Sequence, residues 1–127
     1  MAYISKKDRE IIKQKFGGLC AYSGTPLDDN WQPDHIVPIC NGGSNDVSNL
    51  IPAQRIINHY KRGSSLDSFR NWLLGELHLR LAKLPKNPKS ESKIRHKDYL
   101  LIIANYFNIT EDKPFDKVFY FEKPSNK

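Results

Sequence analysis

The chain is poor in anything that would staple it, anchor it or repeat it. Two cysteines in 127 residues, Cys20 and Cys40, cannot build a disulfide framework, and in a reducing compartment they stay as thiols. No stretch approaches the roughly 20 apolar residues that cross a bilayer. Met1-Ala2-Tyr3-Ile4-Ser5-Lys6-Lys7 has no apolar core of leader length. The expectation is a cytoplasmic protein with no membrane partner. Repeats are missing too, and the length suits one domain over residues 1–127, enough to bury about two-thirds of its unfolded surface.

Acid is the minority charge: fourteen Asp and Glu stand against twenty Lys and Arg, a net charge of +6. An excess of that sign points to an anionic partner, most commonly a nucleic acid for a basic domain. In chain order, Ser5 with Asp8 reads as a helix start, Ile11, Ile12 and Phe16 give part of an apolar stripe, and Gly17-Gly18 ends it. Gly24, Pro26 and Asp28-Asp29-Asn30 carry turn chemistry. After Ser64-Ser65, helical spacing of Leu66, Phe69, Leu73, Leu77, Leu81 and Leu84 predicts the main core helix. A polar, proline-containing linker follows over 85–93, then a second helix over His96 to Phe107, and Val118 to Phe121 is a strand candidate.

Polar residues of a particular kind gather between Gln32 and Gly63. Gln32 to Ile39 predicts a strand, Asn41-Gly42-Gly43-Ser44-Asn45-Asp46 a turn, and Val47 to Ile51 a returning strand. From Ala53 the period changes: Ala53, Ile56, Ile57 and Tyr60 form one apolar face of a helix that Gly63 is placed to stop. Hairpin and helix must pack together, because neither can bury its apolar face alone. Asp34 and His35 would then face the helix flank across a small gap.

Asp34-His35-Ile36-Val37-Pro38, the Gly42-Gly43 turn, Asn49-Leu50 and the ending Asn58-His59-Tyr60-Lys61 agree in order and rough spacing with one family. This quarter of the chain resembles the HNH nucleases. The resemblance implies an α+β fold of the ββα-metal kind, a hairpin-plus-helix core over 19–63 with additional flanking helices over 64–127. It also implies an endonuclease that hydrolyses phosphodiester bonds, in which His35 is the general base and Asp34 ligates a divalent metal. Asn49 ties the hairpin and orients His35, and Asn58 supplies the second protein ligand. The family's final position accepts Asn or His, which leaves His59 as the other candidate. Helix geometry on the predicted apolar face selects Asn58, with His59 on the opposite flank.

One carboxylate and one amide oxygen are hard donors, so the metal expected is Mg²⁺ or Mn²⁺. Many family members carry four zinc-binding cysteines. Here Cys20 has Ser23 as its partner and the later pair of positions holds Gln54 and Ile57, so no structural zinc is expected. Arg55, Lys61 and Arg62 are the candidate contacts to the nucleic-acid backbone. The reading that follows is a restriction, phage or defence nuclease acting on DNA, with a homodimer suiting a restriction role. A catalytically silent binding module and an RNase are the alternatives, because phosphate contacts carry no sequence information.

Overall fold

The computed structural model describes residues 4–123, and the fold class is α+β. Two compact units divide the chain: residues up to Leu66 with the segment from Val118 form the first, and Asp67–Lys117 the second. No helix among the described residues is long and apolar enough to cross a membrane.

In the first unit α1 (Lys6–Gln14) starts where the Ser5 hydroxyl accepts the Asp8 amide at 3.1 Å. Its Ile12 packs with Trp31 and Leu50. Strands β1 (Gln32–His35) and β2 (Leu50–Ala53) pair antiparallel, with Asp34 opposite Ile51 and His35 opposite Leu50. The ladder is shorter than the pattern predicts. Pro33 faces Pro52, so neither residue can donate to its partner. Residues 36–49 leave the sheet as a loop with two short 3₁₀ turns. The outward carbonyls of β2 find partners elsewhere: Pro52 accepts the Ala21 amide at 2.8 Å, and Leu50 accepts the Lys15 ammonium at 2.6 Å.

The segment before β1 is closed by hydrogen bonds. Cys20 donates to the Thr25 carbonyl at 2.8 Å, Leu19 bridges Pro26, and the Ser23 and Thr25 hydroxyls meet at 2.7 Å. Gln54, buried at the end of β2, spans the knuckle. Its amide nitrogen donates to the Pro26 carbonyl at 2.5 Å and its oxygen accepts the Asp28 amide at 3.2 Å. Both cysteines are free, Cys20 buried and Cys40 exposed.

Helix α2 (Arg55–Lys61) ends with Arg62 at φ 57 and Gly63 at φ 69. Its buried face differs from the expected one. Ala53, Ile57 and Lys61 are fully buried, whereas Ile56 and Tyr60 are only half-buried. At 100° per residue this turns the helix by about 60° from the predicted orientation. The candidate strand at Val118–Phe121 is instead an extended approach to a 3₁₀ turn, Tyr120–Glu122. Two of its amides reach Tyr22 and Ala21, but the Glu122 amide closes back on the Phe119 carbonyl, and the ladder stops.

The second unit holds α3 (Leu66–Asn71, whose first residue belongs to the first unit), a π-helical segment Trp72–Leu77, α4 (His78–Lys83) and α5 (Glu91–Tyr106). Phe69, Leu73, Leu77 and Leu81 are all buried, four residues apart. In a regular α-helix each such step drifts by about 40°. The wider π turn offsets the drift and holds the four on one face. Helix α5 begins at Glu91, capped by Ser90, so the linker is shorter than predicted.

Candidate active site

Turning α2 toward Lys61 decides what it presents to solvent. Arg55, Asn58 and His59 stand at i, i+3 and i+4, one helical stripe, and Arg62 follows just past the helix end. They line a groove of about 670 Å³ whose other wall is Gln32, Pro33, Asp34 and His35. Asn58 and His59 therefore share this groove, which corrects the expectation that they lie on opposite flanks. Neighbours 100° apart fit on one stripe when the buried centre lies at Ile57 and Lys61.

Side chains on one face of β1 meet α2 directly. Gln32 Oε1 accepts Asn58 Nδ2 at 2.8 Å, and two residues on, Asp34 Oδ2 lies 3.0 Å from Lys61 Nζ. The first bond fixes the Asn58 amide and leaves its oxygen as the unspent donor atom. The second places Lys61 in the core, not at the surface as a phosphate contact. Its side chain is 0% exposed, and Asp34 is only 5% exposed. The same Asp34 oxygen also accepts the Tyr22 hydroxyl at 2.5 Å, while Oδ1 accepts the His35 amide at 2.9 Å. Burial first, then the Asp34 carboxylate, push the Tyr22 phenol well above its ordinary value. It stays a proton donor.

His35 ends β1 and reaches the groove from its rim. Its Nε2 lies 2.8 Å from Asn45 Oδ1. An amide oxygen only accepts, so Nε2 carries a ring proton, and in the neutral ring the lone pair falls to Nδ1. Asn45 stays in place through the loop behind it. Asn49 Oδ1 accepts the Val37 amide at 3.0 Å, and its Nδ2 donates to the carbonyls of Val37 (3.0 Å) and Ser44 (2.8 Å). Asn49 thus ties the hairpin as expected. Orientation of the ring passes through Asn45, which the sequence presented as one more turn residue. The two glycines of this loop have separate reasons: Gly42 has φ 89, and a Cβ on Gly43 would overlap the Val37 carbonyl.

Among the described residues no group of three or more His, Cys, Asp or Glu side chains gathers as a metal site. Beside the Gln32 oxygen that holds Asn58, the side-chain oxygens at hand are the Asp34 carboxylate and the Asn58 amide, both lining the groove. Few and hard, they suit a cation that keeps most of its water and takes phosphate oxygens as further ligands. Of the residues singled out in the sequence, Asp34, His35, Arg55, Asn58 and Arg62 come together here. Asn49 stands behind the loop and Lys61 beneath the sheet. Tyr22, Gln32 and Asn45 went unnoticed. For Tyr22 a signal existed, since a buried phenol needs a hydrogen-bond partner. Comparison with protein-family models, with curated proteins and with solved structures returns no match.

Proposed function

We propose that this chain is a metal-dependent endonuclease of the ββα-metal type, hydrolysing phosphodiester bonds in DNA. The observation that carries the reading is the convergence of Asp34, His35, Asn58, Arg55 and Arg62 on one groove. Phosphodiester hydrolysis needs a base for the attacking water, an electrophile for the charge that develops on phosphorus and leaving oxygen, and a grip on the backbone.

His35 is the base. With Nε2–H held by Asn45, Nδ1 accepts the proton from a water positioned in the groove, and no partner within the described residues competes for that nitrogen. Asp34 and Asn58 would hold Mg²⁺ or Mn²⁺, which when bound supplies Lewis-acid stabilisation of phosphate charge. Arg55 and Arg62 line the same groove and neutralise neighbouring phosphates. Asp34 is held rigidly by the groups behind it, so its carboxylate does not reorganise when the substrate arrives.

The test is incubation of purified protein with plasmid, linear and single-stranded DNA and with RNA, in Mg²⁺ or EDTA. DNA cleavage that requires Mg²⁺ and falls about 10²-fold or more in a folded His35→Ala variant is the expected result. Asn58→Ala should lose Mg²⁺-supported cleavage. Undiminished cutting by His35→Ala would overturn the mechanism, RNA cleavage alone would change the substrate, and DNA binding without cleavage would leave a silent module.

A further inference from the structure

In the hydrolytic reading the Tyr22 hydroxyl only steadies Asp34, yet that group is buried and aimed at the carboxylate that would hold the metal. Tyr22 is 1% exposed. Its ring is fixed by edge contacts with Phe119 (centroids 5.2 Å apart) and Phe121 (6.1 Å). A carboxylate offers about four lone-pair sites, two on each oxygen. On Asp34 Oδ2, the Tyr22 hydroxyl at 2.5 Å takes one, and the Lys61 ammonium, ion-paired at 3.0 Å without a hydrogen bond, sets a positive charge against any cation that would use the other. On Oδ1, the His35 amide at 2.9 Å takes one. A single site clear of that charge remains.

Resting on the metal reading above, we propose that Tyr22 and Lys61 are positioning residues that restrict Asp34 to one-oxygen coordination and so set the metal preference of the groove. Mg²⁺ and Mn²⁺ accept a carboxylate through one oxygen in octahedral geometry, whereas Ca²⁺ takes six to eight oxygens and uses carboxylates in both modes. A carboxylate that can offer only one oxygen penalises Ca²⁺ more than the smaller ions. Asn58 cannot make up the deficit, because its amide has one oxygen and its nitrogen is held by Gln32.

Tyr22→Phe tests this, because it keeps the ring and its contacts and removes only the hydroxyl. Mn²⁺ binding to wild-type protein and to the variant is followed by electron paramagnetic resonance, with Ca²⁺ as competitor and without nucleic acid. Asp34→Asn identifies the site, and Ile12→Val, a core change on α1, controls for general loosening. The expected result is a Mn²⁺-over-Ca²⁺ preference that falls about tenfold in Tyr22→Phe, the effect of one charge-assisted hydrogen bond, and stays constant in Ile12→Val. Should Tyr22→Phe not fold, Lys61→Gln puts the same question to the other group beside Oδ2. Asp34-dependent Mn²⁺ binding with an unchanged preference overturns this inference and leaves the endonuclease reading standing. Wild-type protein without Asp34-dependent Mn²⁺ binding overturns the inference and the metal reading together.

Discussion

Lys61→Met is the substitution that separates most sharply the buried Lys61 of the structure from the phosphate-binding Lys61 of the sequence. Methionine keeps much of the stem and removes the ammonium, so what is lost is the countercharge 3.0 Å from Asp34 Oδ2. Breaking a buried ion pair from one side costs about 3–5 kcal/mol, because the remaining charge stays out of water. Asp34 keeps the Tyr22 hydroxyl and the His35 amide, which places the loss near the lower end, about 3 kcal/mol. Against a total stability of about 5–15 kcal/mol that is a large fraction.

The assay is urea denaturation followed by Trp31 fluorescence in a Trp72→Phe background, so that the reporter lies in the same unit as the ion pair. With a denaturant slope of about 1.5 kcal/mol/M, the midpoint should fall by about 2 M. Adding Asp34→Asn removes the stranded charge while leaving an acceptor for Tyr22. The double variant should then recover most of the loss, a strongly non-additive cycle. A single Lys61→Met variant within about 0.5 kcal/mol of wild type, the usual result for an exposed position, would refute the burial argument and return Lys61 to the phosphate-binding set.

Two further predictions concern the knuckle and the phenol. Gln54→Leu leaves the Pro26 carbonyl and the Asp28 amide without their partner and should destabilise the first unit by about 2 kcal/mol, with faster hydrogen exchange at the Asp28 amide; unchanged exchange would show that the crosslink is not needed. Tyr22 has a raised folded-state pKa, so above about pH 10 the unfolded chain releases a proton that the folded chain retains, and stability should fall by about 1.4 kcal/mol per pH unit more steeply than in Tyr22→Phe. Denaturation at pH 9, 10 and 11 checks it, and parallel slopes for the two proteins would contradict the shift.

Local signals were enough to determine much of this protein. The Ser5 cap, the hairpin around Gly42-Gly43 and the helix after Ala53 follow from side-chain chemistry within a few residues, and the structure has all three. The candidate site was legible for a similar reason. Asp34-His35 ends one strand, Arg55 and Asn58 share one helical stripe and Arg62 follows at the helix end, so antiparallel pairing followed by a tight connection brings them to one groove. What the tertiary structure alone decided is which face of α2 turns inward. Apolarity nominated Ile56 and Tyr60, but the Asp34 carboxylate and the Tyr22 hydroxyl beneath the sheet make a polar pocket that an ammonium can enter, and Lys61 is drawn in instead. That choice puts His59 beside Asn58. Likewise, the Asn45 contact to His35 depends on how Asn49 folds the loop, and the end of the chain became a turn because Glu122 closes on Phe119. Each of these rests on partners 10 to 27 positions away or on a competing local bond, and hydrophobic periodicity registers neither.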